Sequence, residues 1–175
     1  MRSESERPVA TGVLVCACGG SAAIVVHELT QAAFAGYDAL DPPSGASRET
    51  AESVRRDLEA AGGALAWLDS RPVGCLRCVV GADHLHVRRV AVAPERQGRG
   101  IGRALMAWAE VQAGDRGLSR VTVGVRLSLP GNLAFYRRLG YGVIGEHTHP
   151  GYDQPTWVLM QKDIPGPRNE APRVT

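Results

Sequence analysis

The stretch that decides the fold is Val90-Ala-Val-Ala-Pro-Glu-Arg-Gln-Gly-Arg-Gly-Ile-Gly-Arg103. It starts as a β-branched run, is broken at Pro94, passes through a glycine-rich turn and opens an amphipathic helix. Proline cannot continue a strand ladder, so the strand ends at that point. Glycine lets the chain turn inward and lets a ligand come close to the backbone. The N–H groups of the following helix's first turn have no intrahelical partner and lie at the positive end of its dipole. Together they form an anion site suited to a phosphate or pyrophosphate. Arg96, Arg99 and Arg103 add positive charge around it. The P-loop pattern GxxxxGK[ST] is absent, and the dinucleotide pattern GxGxxG fails because Arg103 stands at its third position. The nucleotide readings of this loop therefore lose.

Upstream, Thr11 to Cys18 reads as a strand. Ala22, Val25, Val26, Leu29, Ala32 and Ala33 follow at helical spacing. Gly36 to Ser47 is a loop by composition, and Ser47 is expected to cap a second helix carrying Ala51, Val54, Leu58 and Ala61. Ala64–Leu68 and Val73–Val80 form a hairpin around Asp69–Pro72, and a third strand runs from Leu85 to Val92. Downstream of the loop come a helix with Ile101, Ala104, Leu105, Trp108 and Val111 on one face, a strand over Val121–Val125 and a short helix over Asn132–Leu139. Tyr141–His147 and Thr156–Gln161 close the chain as an antiparallel pair. The order β-α-α-β-β-β-α-β-α-β-β predicts an α+β fold, a mixed and mostly antiparallel sheet flanked by helices. Residues 9–164 are expected to form a single domain between a frayed segment 1–8 and a loose tail 165–175.

The segment Gln97-Gly-Arg-Gly-Ile-Gly102 fits the pattern Q/R-x-x-G-x-G/A directly after a Val-Ala-Val strand end. With Asn132-Leu-Ala-Phe-Tyr136-Arg-Arg-Leu-Gly-Tyr141 at the right distance, the chain resembles the GNAT superfamily of acetyl-CoA-dependent N-acetyltransferases over roughly residues 10–163. The resemblance implies acetyl transfer from acetyl-CoA to a primary amine of a small molecule or peptide, by direct attack in a ternary complex. It implies that Gln97, Gly98, Arg99, Gly100, Ile101, Gly102 and Arg103 hold the pyrophosphate. The pantetheine arm would pair with Val90, Ala91 and Val92, and Asn132 would reach the cofactor. An N–H near Val92 would bind the developing oxyanion, and Tyr136 would protonate the leaving thiolate.

Many relatives place a Glu four residues before the Val-Ala-Val start, where this chain has His86. With period 2, His86, Arg88, Val90 and Val92 are expected on one face, so His86 would point where Val92 points. A histidine is a suitable base near neutral pH; the other reading is that bulk water takes the proton. The family's acceptor cleft maps to Gly36–Pro42 and His147–Pro155. There Tyr37, Asp38, Tyr152 and Asp153 are expected to suit a small cationic amine. Two rivals stand beside this reading: a non-catalytic acyl-CoA-binding or sensing domain, and a transferase for a different acyl-CoA.

Composition is that of a soluble folded protein: 44% hydrophobic and 22% charged residues over 175 positions. A net charge of +2, from 20 basic and 18 acidic residues, argues against a dedicated nucleic-acid partner. The leader Met1–Arg7 carries two acids against two bases, unlike a signal peptide, so the expected location is cytoplasmic. No membrane partner is expected, and a homodimer through a sheet edge is compatible with such a fold. No metal is expected either. Cys75 and Cys78 are three apart in a strand and should face opposite sides of the sheet, and His147 and His149 read as rim or surface residues.

Overall fold

The computed structural model describes residues 12–165; the expectations for 1–8 and for 166–175 lie outside them. The elements are β1 (Leu14–Cys18), α1 (Ala23–Phe34), α2 (Ala51–Ala61), β2 (Gly63–Leu68), β3 (Arg71–Val80), β4 (His84–Val92), α3 (Ile101–Asp115), β5 (Arg120–Arg126), α4 (Pro130–Arg138), β6 (Gly142–His147) and β7 (Trp157–Asp163). The order matches the α+β expectation. One seven-stranded sheet runs β1-β2-β3-β4-β5-β7-β6. All its pairs are antiparallel except β4–β5.

Two local readings change. The residue that caps α2 is Thr50, not Ser47. Its hydroxyl accepts from the Ser53 N–H at 3.1 Å while the Thr50 N–H donates to the Ser53 hydroxyl at 3.0 Å. Ser47 lies in a 3₁₀ turn over Gly45–Arg48. The β2–β3 turn is only Asp69-Ser70, both at positive φ (51° and 60°), so Arg71 and Pro72 already pair with β2. Two successive positive φ values match the right-handed twist of a tight hairpin.

The sheet separates two cores. On one face α3 packs Ile101, Leu105, Met106 and Ala109 against Leu85, Val87, Val121 and Val123. On the other, α1 and α2 pack Val26, Val54 and Leu58 against Cys75 and Ala91. Cys75 and Cys78 fall in opposite cores, as their spacing in the strand requires. Burial pushes their thiols up, to about 12 and about 11.

The α2 side also holds a charge network. Arg77, 1% exposed, donates to Asp57 at 2.7 Å and to Glu49 at 2.5 Å, and Glu49 also receives Arg89 at 2.8 Å. Removing one partner of a buried ion pair leaves a desolvated charge and costs about 3–5 kcal/mol. Asp57 stays with Arg77, so Glu49→Ala is expected at the lower end, about 3 kcal/mol by that rule. Chemical denaturation measures it; a loss below about 1 kcal/mol, the range of an exposed pair, would show the network to be solvent-screened.

Candidate active site

The site begins at an irregularity in β4. Cys75 pairs with Ala91 and Arg77 with Arg88, so Arg89 and Val90 stand opposite the single residue Leu76. This is a β-bulge, and Arg89 takes φ +54°. The extra residue breaks the alternation. Arg88 and Arg89 both reach Glu49 on the α2 side, whereas Val90 and Val92 pack on the α3 side. His86 therefore does not share a face with Val92. It alternates with Leu85 and Val87, which face α3, and so points to the α1–α2 side.

The bulge sits where the sheet opens. β4 and β5 pair only from His84↔Arg120 to Val87↔Val123, after which β5 continues with β7 alone. The Ala93 N–H donates to the Val73 carbonyl at 2.9 Å, so Ala93 turns its polar groups toward β3. By antiparallel alternation Val90 and Val92 turn theirs into the opening. The Gln97 side chain confirms this for Val92, donating to its carbonyl at 3.2 Å. The N–H groups of Val90 and Val92 thus face a gap with no strand among the described residues on its other side.

The gap leads to the glycine turn. Gly98 (φ +74°) and Gly100 (φ +81°) adopt left-handed backbone that L side chains disfavour. Gly100 is the N-cap of α3 and offers no side-chain cap, and no acid sits in the first turn. The first helical bond is Ala104 N–H to Gly100 carbonyl, 3.0 Å, so the N–H groups of Ile101, Gly102 and Arg103 have no helical acceptor. At Gly102 an added Cβ would meet the Phe135 ring at 3.2 Å, so glycine lets α4 approach.

A cavity of about 870 Å³ runs along this surface. Val90, Val92, Gln97, Gly98, Gly100, Ile101, Gly102, Arg103, Asn132 and Tyr136 all line it. It takes Phe34 and Tyr37 from the α1 side and Phe135 from the α4 side, so it passes through the sheet at the gap. Arg99 does not line it, and Ala91 is buried on the opposite side. Arg96 and Arg138 add charge to the wall. Arg138 escapes a sequence reading because it looks like an ordinary basic residue in a helix's last turn.

Tyr136 packs edge-on against Phe135 and Tyr141, at centroid distances of 5.0 and 5.8 Å. Among the described residues its hydroxyl has no hydrogen-bond partner. Burial and the nearby Tyr37 phenol hold its pKa well above the ordinary tyrosine value, so it stays a neutral donor. His86 lines neither this cavity nor its neighbour. Its Nδ1 lies 2.9 Å from the Thr122 hydroxyl, and burial, then Arg88 and His84, push its pKa below the ordinary histidine value.

A second cavity, about 310 Å³, adjoins on the α1–α2 side. Its wall includes Arg48, Arg89, Arg126, His149 and Trp157. The loops expected to form an acceptor cleft do meet beside it. Tyr152 donates its hydroxyl to Asp41, and Arg126 donates to the carbonyls of Pro42 and Pro43. Asp38 and Asp153, expected to attract a cation, are exposed and line neither cavity. The four segments that supply this wall are far apart in sequence, and no local pattern joins them.

An uncapped helix start beside an open strand edge is an arrangement suited to a phosphate-bearing ligand with an extended arm. Residues 26–141 match the model of the acetyltransferase (GNAT) family, and the chain belongs to that family. Solved structures share the fold. The ribosomal-protein-S18-alanine N-acetyltransferase of Escherichia coli aligns over 91% of this chain and 97% of its own, with TM-score 0.71 and 18% identity. The PaiA N-acetyltransferase of Thermoplasma acidophilum, solved with coenzyme A, aligns over 87% and 99%, with TM-score 0.72 and 16% identity. Ard1 of Thermoplasma volcanium aligns over 88% and 99%, with TM-score 0.70 and 14% identity. Among the described residues, no helix is long and apolar enough to cross a membrane, and no three His, Cys, Asp or Glu side chains cluster as metal ligands.

Proposed function

We propose that this protein transfers the acetyl group of acetyl-CoA to a primary amine of a small molecule or peptide, by direct attack in a ternary complex. The observation that carries the reading is continuity: the unpaired N–H groups of Val90 and Val92 run straight into the uncapped start of α3. That edge suits an amide-bearing arm, and the helix start suits a pyrophosphate. Arg96, Arg103 and Arg138 supply countercharge, and Asn132 faces the same cavity. An inward N–H near Val92 is positioned for a developing oxyanion. Tyr136 serves as the acid. Tyr37 and Tyr152 stand on the acceptor side.

The acceptor amine must lose a proton before it attacks, since alkylammonium groups have pKa values near ~10. We assign that proton to His86 acting through an intervening water, since the ring lines neither cavity. Its side chain lies on the same face of the sheet as the second cavity and against Thr122, which stands on β5 two residues before the cavity-lining Gly124. A lowered pKa keeps the ring neutral at neutral pH, the form a base requires. Protonation removes that form, so the rate is expected to fall as pH drops through a value below 6.5, where an ordinary histidine titrates. His86→Ala should remove this acid limb. If the variant keeps both the limb and the rate, another group or water takes the proton.

The reaction is tested by following free thiol release from acetyl-CoA across amine classes, with acetylated product identified by mass. Tight coenzyme A binding without acetylated product from any class would favour a binding-only domain.

A further inference from the structure

We propose that the second cavity binds a carboxylate carried by the acceptor, so that the substrate is a small amino acid-like molecule rather than a purely cationic amine. The inference rests on the acetyl-transfer reading and specifies its substrate class.

Among the described residues, the cavity wall carries three guanidinium groups and no carboxylate. Arg126, at the end of β5, is fixed by two backbone carbonyls, those of Pro42 and Pro43, and has no acidic partner among the described residues. Arg48 is exposed and has none either. Arg89 is braced by Glu49 and lies over the Phe34 ring, 5.8 Å from its centroid. Glu49 cannot neutralise this group of charges, because Arg77 and Arg88 share it. Counting Glu49 and Asp57 against Arg77, Arg88 and Arg89 leaves one positive charge, and Arg48 and Arg126 raise it to three. Burial, and after it the nearby Arg89, disfavour the charge of Arg126.

Like charges are held together at a cavity wall only when something else fixes them, here two carbonyls and a carboxylate. The arrangement has an unmatched demand for an anion. With its terminal nitrogens braced by two carbonyls, Arg126 still has Nε and one further proton on each terminal nitrogen to offer, and Arg48 has its whole guanidinium fork for a carboxylate. A volume of about 310 Å³ suits a molecule of amino-acid size. The position also matters. Arg89 faces this cavity while the next residue, Val90, faces the larger one, so a molecule held by its carboxylate here has its amine beside the gap.

The same field helps the chemistry. Nearby positive charge disfavours an ammonium and lowers the pKa of the bound amine. A polyamine would meet only the repulsion. An aminocarboxylate offsets it through its own anion and keeps the benefit at nitrogen.

Calorimetry on the coenzyme A-saturated protein tests this, with free amino acids, their carboxamides, their aminophosphonate analogues and spermidine as probes. Binding of at least one free amino acid is expected, at least tenfold tighter than its carboxamide. Arg126→Met should reduce that ratio to below threefold. Should Arg126→Met fail to fold, the exposed Arg48→Ala serves, with the ratio expected to fall severalfold. Carboxamides or spermidine binding as well as the acids would overturn the proposal, as would aminophosphonates binding best. So would a carboxylate preference that survives both substitutions, or no binding by any amino acid. Failure of coenzyme A to bind at the saturation step would instead refute the acetyl-transfer reading.

Discussion

Gly100→Asp should weaken coenzyme A binding by at least a hundredfold while the protein still folds. Gly100 holds φ +81° at the N-cap of α3, next to the N–H groups of Ile101, Gly102 and Arg103. Two effects act together. Leaving glycine at a left-handed position costs about 1–2 kcal/mol for most residues, and less for Asp, which tolerates that region. The larger effect is charge. One carboxylate about 4 Å from a phosphate oxygen, at the effective dielectric of a protein surface, is repelled by about 4 kcal/mol, close to a thousandfold. Salt screens part of that, which sets the hundredfold floor. Gly100→Asn separates the two effects, because it keeps the shape and removes the charge. It should lose far less affinity than the Asp variant. Gly102→Asp should also abolish binding, but its Cβ meets Phe135 at 3.2 Å, so packing contributes to its loss. Calorimetric affinity for coenzyme A is the readout. A folded Gly100→Asp protein that binds like the parent would remove this turn from the site.

The parts of the site that could be read from the chain are those built by neighbours in sequence. The glycine turn, the Val-Ala-Val edge and the pair Asn132 and Tyr136 each lie within one strand–turn–helix or one helical turn. The family resemblance supplies their roles, and apart from Ala91 and Arg99 the residues it points to line the 870 Å³ cavity. What could not be read depends on one dihedral angle. Arg89 adopts φ +54° without being glycine, and nothing in His-Val-Arg-Arg-Val marks a bulge there. Strict alternation therefore predicts the wrong face of the sheet for His86. The same bulge turns Arg89 toward the α1–α2 side, where it meets Arg126 from a strand 37 residues later, a pairing no periodicity encodes. The cap of α2 departs from the Ser47 expectation for a smaller reason. Ser47 and Thr50 are both good caps, and the reciprocal partner of Thr50 is Ser53 rather than the usual Glu or Gln.

Tyr136→Phe should lower turnover at least tenfold and change coenzyme A affinity less than about threefold. The ring carries the packing, against Phe135 and Tyr141, and Phe keeps it. The hydroxyl bonds to no described residue, so its removal orphans no donor or acceptor and should cost little stability. Its remaining role is toward the bound substrate. A leaving thiolate has a proton affinity like that of cysteine, pKa ~8.5, and general acids contribute about 10²–10⁴ in rate. The upper end of that range does not apply here. Burial and Tyr37 hold the phenol's pKa well above its ordinary value, so giving up the proton fully to the thiolate is uphill. The hydroxyl therefore helps chiefly by donating a hydrogen bond to sulfur as charge grows, with the proton following late. That places the expected loss between about tenfold and a few hundredfold, below the general-acid ceiling. The raised pKa also means that Tyr136 stays protonated across the pH range in which His86 titrates. The acid limb of the rate profile should then be unchanged in the Phe variant, while the whole curve shifts down. Steady-state turnover across pH, with affinity measured separately, resolves the roles. A Phe variant that turns over like the parent would make Tyr136 a packing residue, and the thiolate would then leave with no acid from this helix.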